Sequence, residues 1–209
     1  MTAQTRRTTT ELQSEGAPLT ALVIVDVQND FTEGGALEVD GGADVARRIS
    51  KRLDRPDHGY DLVVATKDFH IDPGEHFAVG EPDYSNTWPL HCVAGTDGAE
   101  SHPDLATEEV DAVFYKGMFD PAYSGFEGVI YPSAADSTTL GQYLRTHGIT
   151  DVDIAGIATD HCVVATARDA VKAGFDTRLL SDAVAGVAPA TTAAALVEMA
   201  RIGVAITEI

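Results

Sequence analysis

The residues with chemistry to offer stand at equivalent places in the chain. Asp26 follows the apolar run ALVIV (residues 21–25), Lys116 follows AVFY (112–115) and Cys162 follows DVDIAGI (151–157). Each run reads as a short buried strand, so a carboxylate, an ammonium and a thiol all lie just past a strand's carboxyl end. If those strands are neighbours, the three groups converge on one cleft as base, electrostatic partner and nucleophile. Beyond Cys162, Val163, Val164, Ala167, Ala170 and Val171 recur at helical spacing until Gly174, so the thiol sits where a strand turns into a helix. N–H groups at a helix start favour negative charge, which biases such a thiol towards thiolate. Taken singly, each group has a plainer reading: Cys162 as a small buried thiol, Asp26 as a turn residue, Lys116 as a solvated surface lysine.

A second group follows the strand DLVVAT (61–66). Asp68, His70, His76 and His91 place one carboxylate and three imidazoles close together in sequence. Mixed oxygen and nitrogen donors with no thiolate suit a single divalent ion, Zn, Fe or Mn, with water completing the shell. Open coordination positions point to a catalytic or substrate-binding ion rather than a structural one. His58, His102 and His147 read as scattered loop residues.

The elements that must position these groups alternate strand and helix. Helices are expected over roughly 43–55, 137–147, from Cys162 to about 173, and from Pro189, with further strands at 175–180 and 204–206. This order implies a single-domain α/β, Rossmann-like three-layer sandwich: a mostly parallel sheet of about six strands with helices on both faces. The stretch 67–109 has little periodicity and several Pro and Gly residues, as functional loops do.

Composition excludes some roles. With 14 basic and 33 acidic residues among 209, the net charge is −19, which argues against nucleic acid and anionic membranes as partners. No apolar run approaches a membrane span. The polar segment 1–18 lacks a signal sequence's apolar core and reads as a disordered extension, leaving 19–209 as the domain. Two cysteines make no disulfide framework and fit a reducing cytoplasm.

Six ordered blocks carry a resemblance: VDVQNDF (25–31), ATKDFHIDPGEHF (65–77), TWPLHCVAGT (87–96), FYKG (114–117), AYSGFEG (122–128) and GIATDHCV (156–163). Together they resemble the bacterial nicotinamidase/pyrazinamidase family within the isochorismatase-like cysteine hydrolases, from about Leu22 to the C-terminus. The resemblance implies Asp26, Lys116 and Cys162 as the catalytic triad and Asp68, His70, His76 and His91 as metal ligands. It places Phe31, Trp88, Tyr123 and His161 in the substrate pocket and the N–H groups of Ala158 and Cys162 in an oxyanion hole. The Ile157–Ala158 bond matches a cis peptide in the family. Three departures stand out: the N-terminal extension, Thr32 where relatives often have cysteine, and the segment 130–137 (IYPSAADS) at the pocket rim.

The resemblance implies hydrolysis of nicotinamide, and of pyrazinamide, to the acid and ammonia through a Cys162 thioester, in NAD salvage, by a monomer or a homodimer. A different amidase of the superfamily and a catalytically silent metal-binding homologue are the alternatives. An acyclic amide offers no ring nitrogen to an ion held by Asp68 and the histidines, and an intact Asp26–Lys116–Cys162 set is unneeded in a silent protein.

Overall fold

The computed structural model describes residues 17–130 and 137–208. Most of the expected N-terminal extension, and residues 131–136 of the rim segment, lie outside the described residues. Among the described residues, seven strands form one sheet in the order β4-β3-β2-β1-β5-β6-β7. They are β1 Thr20–Val25, β2 Leu62–Asp68, β3 Ala112–Lys116, β4 Val129–Ile130, β5 Asp151–Ile157, β6 Asp176–Ala185 and β7 Ala205–Thr207. Every pairing is parallel except β3 with the two-residue β4. The sequence expectation of about six strands is one short, because a two-residue edge strand carries no periodic signal.

The central strand explains its own composition. Leu22 and Ile24 pack against helix α1 (Gly42–Leu53) through Val45, Ala46, Ile49 and Leu53. Ala21, Val23 and Val25 face the opposite layer, built from α2 (Leu140–Thr146), α3 (Val164–Lys172) and α4 (Pro189–Arg201). A strand covered on both faces gains nothing from a polar residue, so the run is continuously apolar. Helix α2 begins later than expected, because Thr139 and Gln142 close a reciprocal capping box at its start. Strand β6 runs five residues further than expected, after a register irregularity opposite Ile154–Gly156. Among the described residues no helix is long and apolar enough to cross a membrane.

Chain order reverses at β1: β2 and β3 are laid down on one side of it, β5 to β7 on the other. Ligands of open parallel sheets bind at such a switch point, outside the carboxyl ends of the strands. Gly156 lets β1 and β5 approach there, since a Cβ on it would lie 2.0 Å from the Val25 carbonyl oxygen and its φ is +126°.

Candidate active site

The carboxyl edge of the sheet brings the first constellation together. Lys116 ends β3, Asp68 ends β2, Asp26 follows β1, and Cys162 lies in a wide turn of π-helical geometry, Thr159–Val163, between β5 and α3. The strands bearing Asp26 and Lys116 are not adjacent. β2 lies between them, and Asp68 joins the cluster from it. The surface reading of Lys116 is overturned, as the residue is 1% exposed. Its Nζ lies 2.8 Å from Asp26 Oδ2 and 3.6 Å from Cys162 Sγ, pairs closely with Asp68 Oδ1, and donates to the Ala122 carbonyl at 3.2 Å. A carboxylate oxygen of Asp26, one of Asp68 and the sulfur all lie within 4.8 Å of one another.

Burial and these neighbours set the proton positions. Burial would lower the Lys116 ammonium, but Asp26 and Asp68 outweigh it and hold the pKa well above the usual lysine value. Burial would raise Asp68, but Lys116 and His70 outweigh it and keep this carboxyl far below the usual range. Asp26 ends above its usual value, because burial and the Asp68 charge exceed the pull of Lys116. The Cys162 thiol is pushed up, first by burial and then by the two carboxylates, with Lys116 opposing. Burial and the two carboxylates therefore oppose the bias towards thiolate at the helix start and favour the neutral thiol.

The second constellation adjoins the first. His70, His76 and His91 are buried, with one ring nitrogen of each within 4.8 Å of the others. His70 Nδ1 lies 2.6 Å from the Gly117 carbonyl and His91 Nδ1 lies 2.7 Å from that of Pro89. A carbonyl only accepts, so each Nδ1 carries the proton, and in neutral rings the two Nε2 lone pairs face each other at 3.2 Å. Among the described residues, His76 Nδ1 is buried without a hydrogen-bond partner. Facing lone pairs and an orphaned imidazole nitrogen fit a shared cation. Asp68 Oδ2, 3.7 and 3.9 Å from the same two Nε2 atoms, adds the negative charge. Gly117 (φ +71°) permits this packing, since a Cβ there would meet His70 Cε1 at 2.6 Å.

A cavity of ≈270 Å³ opens over both groups. Phe31, Trp88, Tyr123 and His161 line it, as do Ala158 and Cys162. Trp88 Nε1 donates to Tyr123 Oη at 3.1 Å, and the Trp88 and His161 rings meet edge to face at 5.5 Å. The Ile157–Ala158 peptide is cis.

Some contributors escaped the sequence reading. Thr66 Oγ1 donates to Asp26 Oδ1 at 2.6 Å. Gln28, fully buried, donates to the Asp68 and Ala99 carbonyls and accepts from the Asp68 N–H, fixing the backbone that carries Asp68. Thr66 was hidden as a β-branched residue closing an apolar run. Gln28 gave a usable signal as an uncharged amide inside VDVQNDF. Cys92 is also buried, but its Sγ lies against the Gly98 carbonyl rather than in the cluster of Asp26, Asp68 and Lys116.

Known proteins resemble the chain over most of its length. The Isochorismatase domain model matches residues 20–209. A nicotinamidase/pyrazinamidase of Mycobacterium tuberculosis is 59% identical over 179 residues, covering 86% of this chain and 93% of its own. Among solved structures, the zinc complex of a Pyrococcus horikoshii pyrazinamidase superposes with a TM-score of 0.76 at 37% identity, over 92% of this chain and 100% of that one. PnC1 from L. infantum in complex with nicotinate gives 0.79 at 32% identity, over 91% and 92%.

Proposed function

We propose, for a chain that belongs to the isochorismatase-domain family, that it is a metal-dependent nicotinamidase, hydrolysing nicotinamide to nicotinate and ammonia in NAD salvage and accepting pyrazinamide. The observation that carries this reading is the buried Lys116 ammonium between two carboxylates and the Cys162 thiol, beside three facing imidazoles, at the floor of a ring-sized cavity. Residues 19–209 act as one hydrolase domain, and its two free cysteines fit a cytoplasmic setting.

The substrate ring packs on Phe31 and Trp88, with Tyr123 and His161 closing the same wall and the carboxamide turned to Cys162. Asp26 takes the Sγ proton as sulfur attacks the carboxamide carbon. Its raised pKa brings it nearer to the thiol's and makes it the better acceptor of the two carboxylates. Lys116 holds Asp26 and Cys162 in register. The N–H groups of Ala158 and Cys162 receive the developing oxyanion, one such donor being worth roughly 3 to 4 kcal/mol. Asp26 returns its proton to the departing nitrogen, ammonia leaves, and the acyl group remains as a thioester on Cys162. Asp26, again a carboxylate, takes a proton from water as that water attacks the thioester carbon. Nicotinate leaves and the sulfur regains its proton. A divalent ion held by Asp68, His70, His76 and His91 supplies, when bound, a Lewis acid to which a ring nitrogen can bind.

The test is ammonia release by metal-replete protein from nicotinamide, pyrazinamide and benzamide. Both nitrogen heterocycles should be turned over, and benzamide should be poorer by orders of magnitude, since a site built for a polar partner rejects its apolar analogue. No release from nicotinamide would overturn the reading, and equal turnover of benzamide would remove the ring-nitrogen anchor.

A further inference from the structure

Asp160 stands two residues before the thiol, in the Thr159–Val163 turn. Its carboxylate reaches a segment distant in sequence. Oδ1 accepts from the Val187 N–H at 2.9 Å, and Oδ2 accepts from the Ala188 N–H at 3.3 Å and closely from the Thr191 hydroxyl. Val187 lines the cavity, and Thr191 lies in the first turn of α4. Ala188, at the N-cap of α4, has no side-chain oxygen and makes no cap of its own. The acceptor at the start of this helix therefore comes from the turn that carries the nucleophile. Within that turn the His161 and Val163 N–H groups both bond the Ala158 carbonyl, so a shift at Asp160 is transmitted to both sides of Cys162.

We propose that Asp160 is a positioning residue, tying the Cys162 turn to the start of α4 so that the sulfur and the Val187 wall keep one relative placement. A purely stabilising cap would serve α4 alone, whereas the tether acts on the turn and the wall together. The kinetic consequence rests on the nicotinamidase reading, and the tether itself does not.

The test compares wild type, Asp160→Ala and the double variant Asp160→Ala/Ala188→Ser. The serine gives α4 a cap of its own without restoring the carboxylate that bridges the Cys162 turn to Val187 and Thr191. Asp160→Ala should lower the thermal midpoint by about 2 to 4 °C, as loss of a cap does in a domain of this size. It should lower kcat on nicotinamide about tenfold or more, because small misplacements of a reacting group cost up to about 10²-fold. Hydrogen–deuterium exchange should quicken in residues 159–163 and at Val187. The double variant should recover the thermal midpoint while kcat stays low and exchange in 159–163 stays fast. Wild-type kcat in Asp160→Ala, unchanged exchange in 159–163, or recovery of kcat together with the midpoint would overturn the proposal. If Asp160→Ala does not fold, Asp160→Asn, which keeps the volume and one carbonyl acceptor, takes its place with a loss of about threefold or more expected, and wild-type kcat there overturns it equally. The exchange measurement needs no substrate, so it judges the tether even if nicotinamide is not hydrolysed.

Discussion

Two side chains of one kind, Asp26 and Asp68, share a single ammonium and end with opposite proton affinities. Asp68 has the closer contact with Lys116 and lies against the imidazoles, so it stays a carboxylate. Asp26 is enclosed more completely and feels the Asp68 charge, so it is the readier to accept a proton. Divergent environments assign the acid–base roles. With the sulfur neutral, two carboxylates and one ammonium leave a single negative charge, and Lys116 alone keeps it from being two. Lys116→Met should therefore abolish activity and also cost about 3 to 5 kcal/mol of unfolding free energy, since it strands buried charges. Urea unfolding of the metal-free protein measures this. Stability equal to wild type would mean that the carboxylates find another counter-charge.

At the scale of elements, the site depends on how closely β1 and β5 approach. Gly156→Ala should cost at least about 3 kcal/mol, adding a clash with the Val25 carbonyl to a left-handed backbone, and should yield unfolded or insoluble protein. A soluble variant with an unchanged melting temperature would show that the strands can separate without loss. This level also shows what was legible in the sequence. Asp26, Lys116 and Cys162 could be placed at strand ends because ALVIV, AVFY and DVDIAGI are buried runs with sharp boundaries. Strand order is not written in such runs, so the insertion of Asp68 between Asp26 and Lys116 could not be read from them. The spacing of Asp68 from the three histidines, and then the resemblance, assigned Asp68 to the metal group, and the structure has it face that group and Lys116 at once. The state of the thiol was misread because the helix start is local in sequence, whereas the burial and the carboxylates that oppose it come from distant strands. The two-residue β4 and the extension of β6 are set by pairing partners rather than by local pattern.

At the scale of the whole molecule, acid acts through the imidazole cluster. Burial, with His70 and His91 nearby, pushes the His76 pKa down from 6.5 to about 4, and burial lowers His91 as well. Between pH 6.5 and about 4 the unfolded chain binds a proton at His76 that the folded chain refuses. Unfolding then takes up protons, so stability is fully present above 6.5 and falls as the pH drops through this window. Asp26, with its raised pKa, works in the opposite sense, so a variant comparison is needed. The urea midpoint of metal-free protein should fall between pH 6.5 and 4, and His76→Ala should flatten that fall. A pH profile left unchanged by His76→Ala would mean that His76 is not held neutral. Protons also compete with an ion for the same lone pairs, so acid should release bound metal.

The most direct test of the central claim, that the Cys162 sulfur carries the acyl group, is mass spectrometry of metal-replete protein quenched during turnover of nicotinamide. The expected result is a nicotinoyl adduct on the peptide bearing Cys162 in wild type, with neither adduct nor ammonia from a folded Cys162→Ala protein. Appreciable ammonia release by Cys162→Ala would contradict the thioester route.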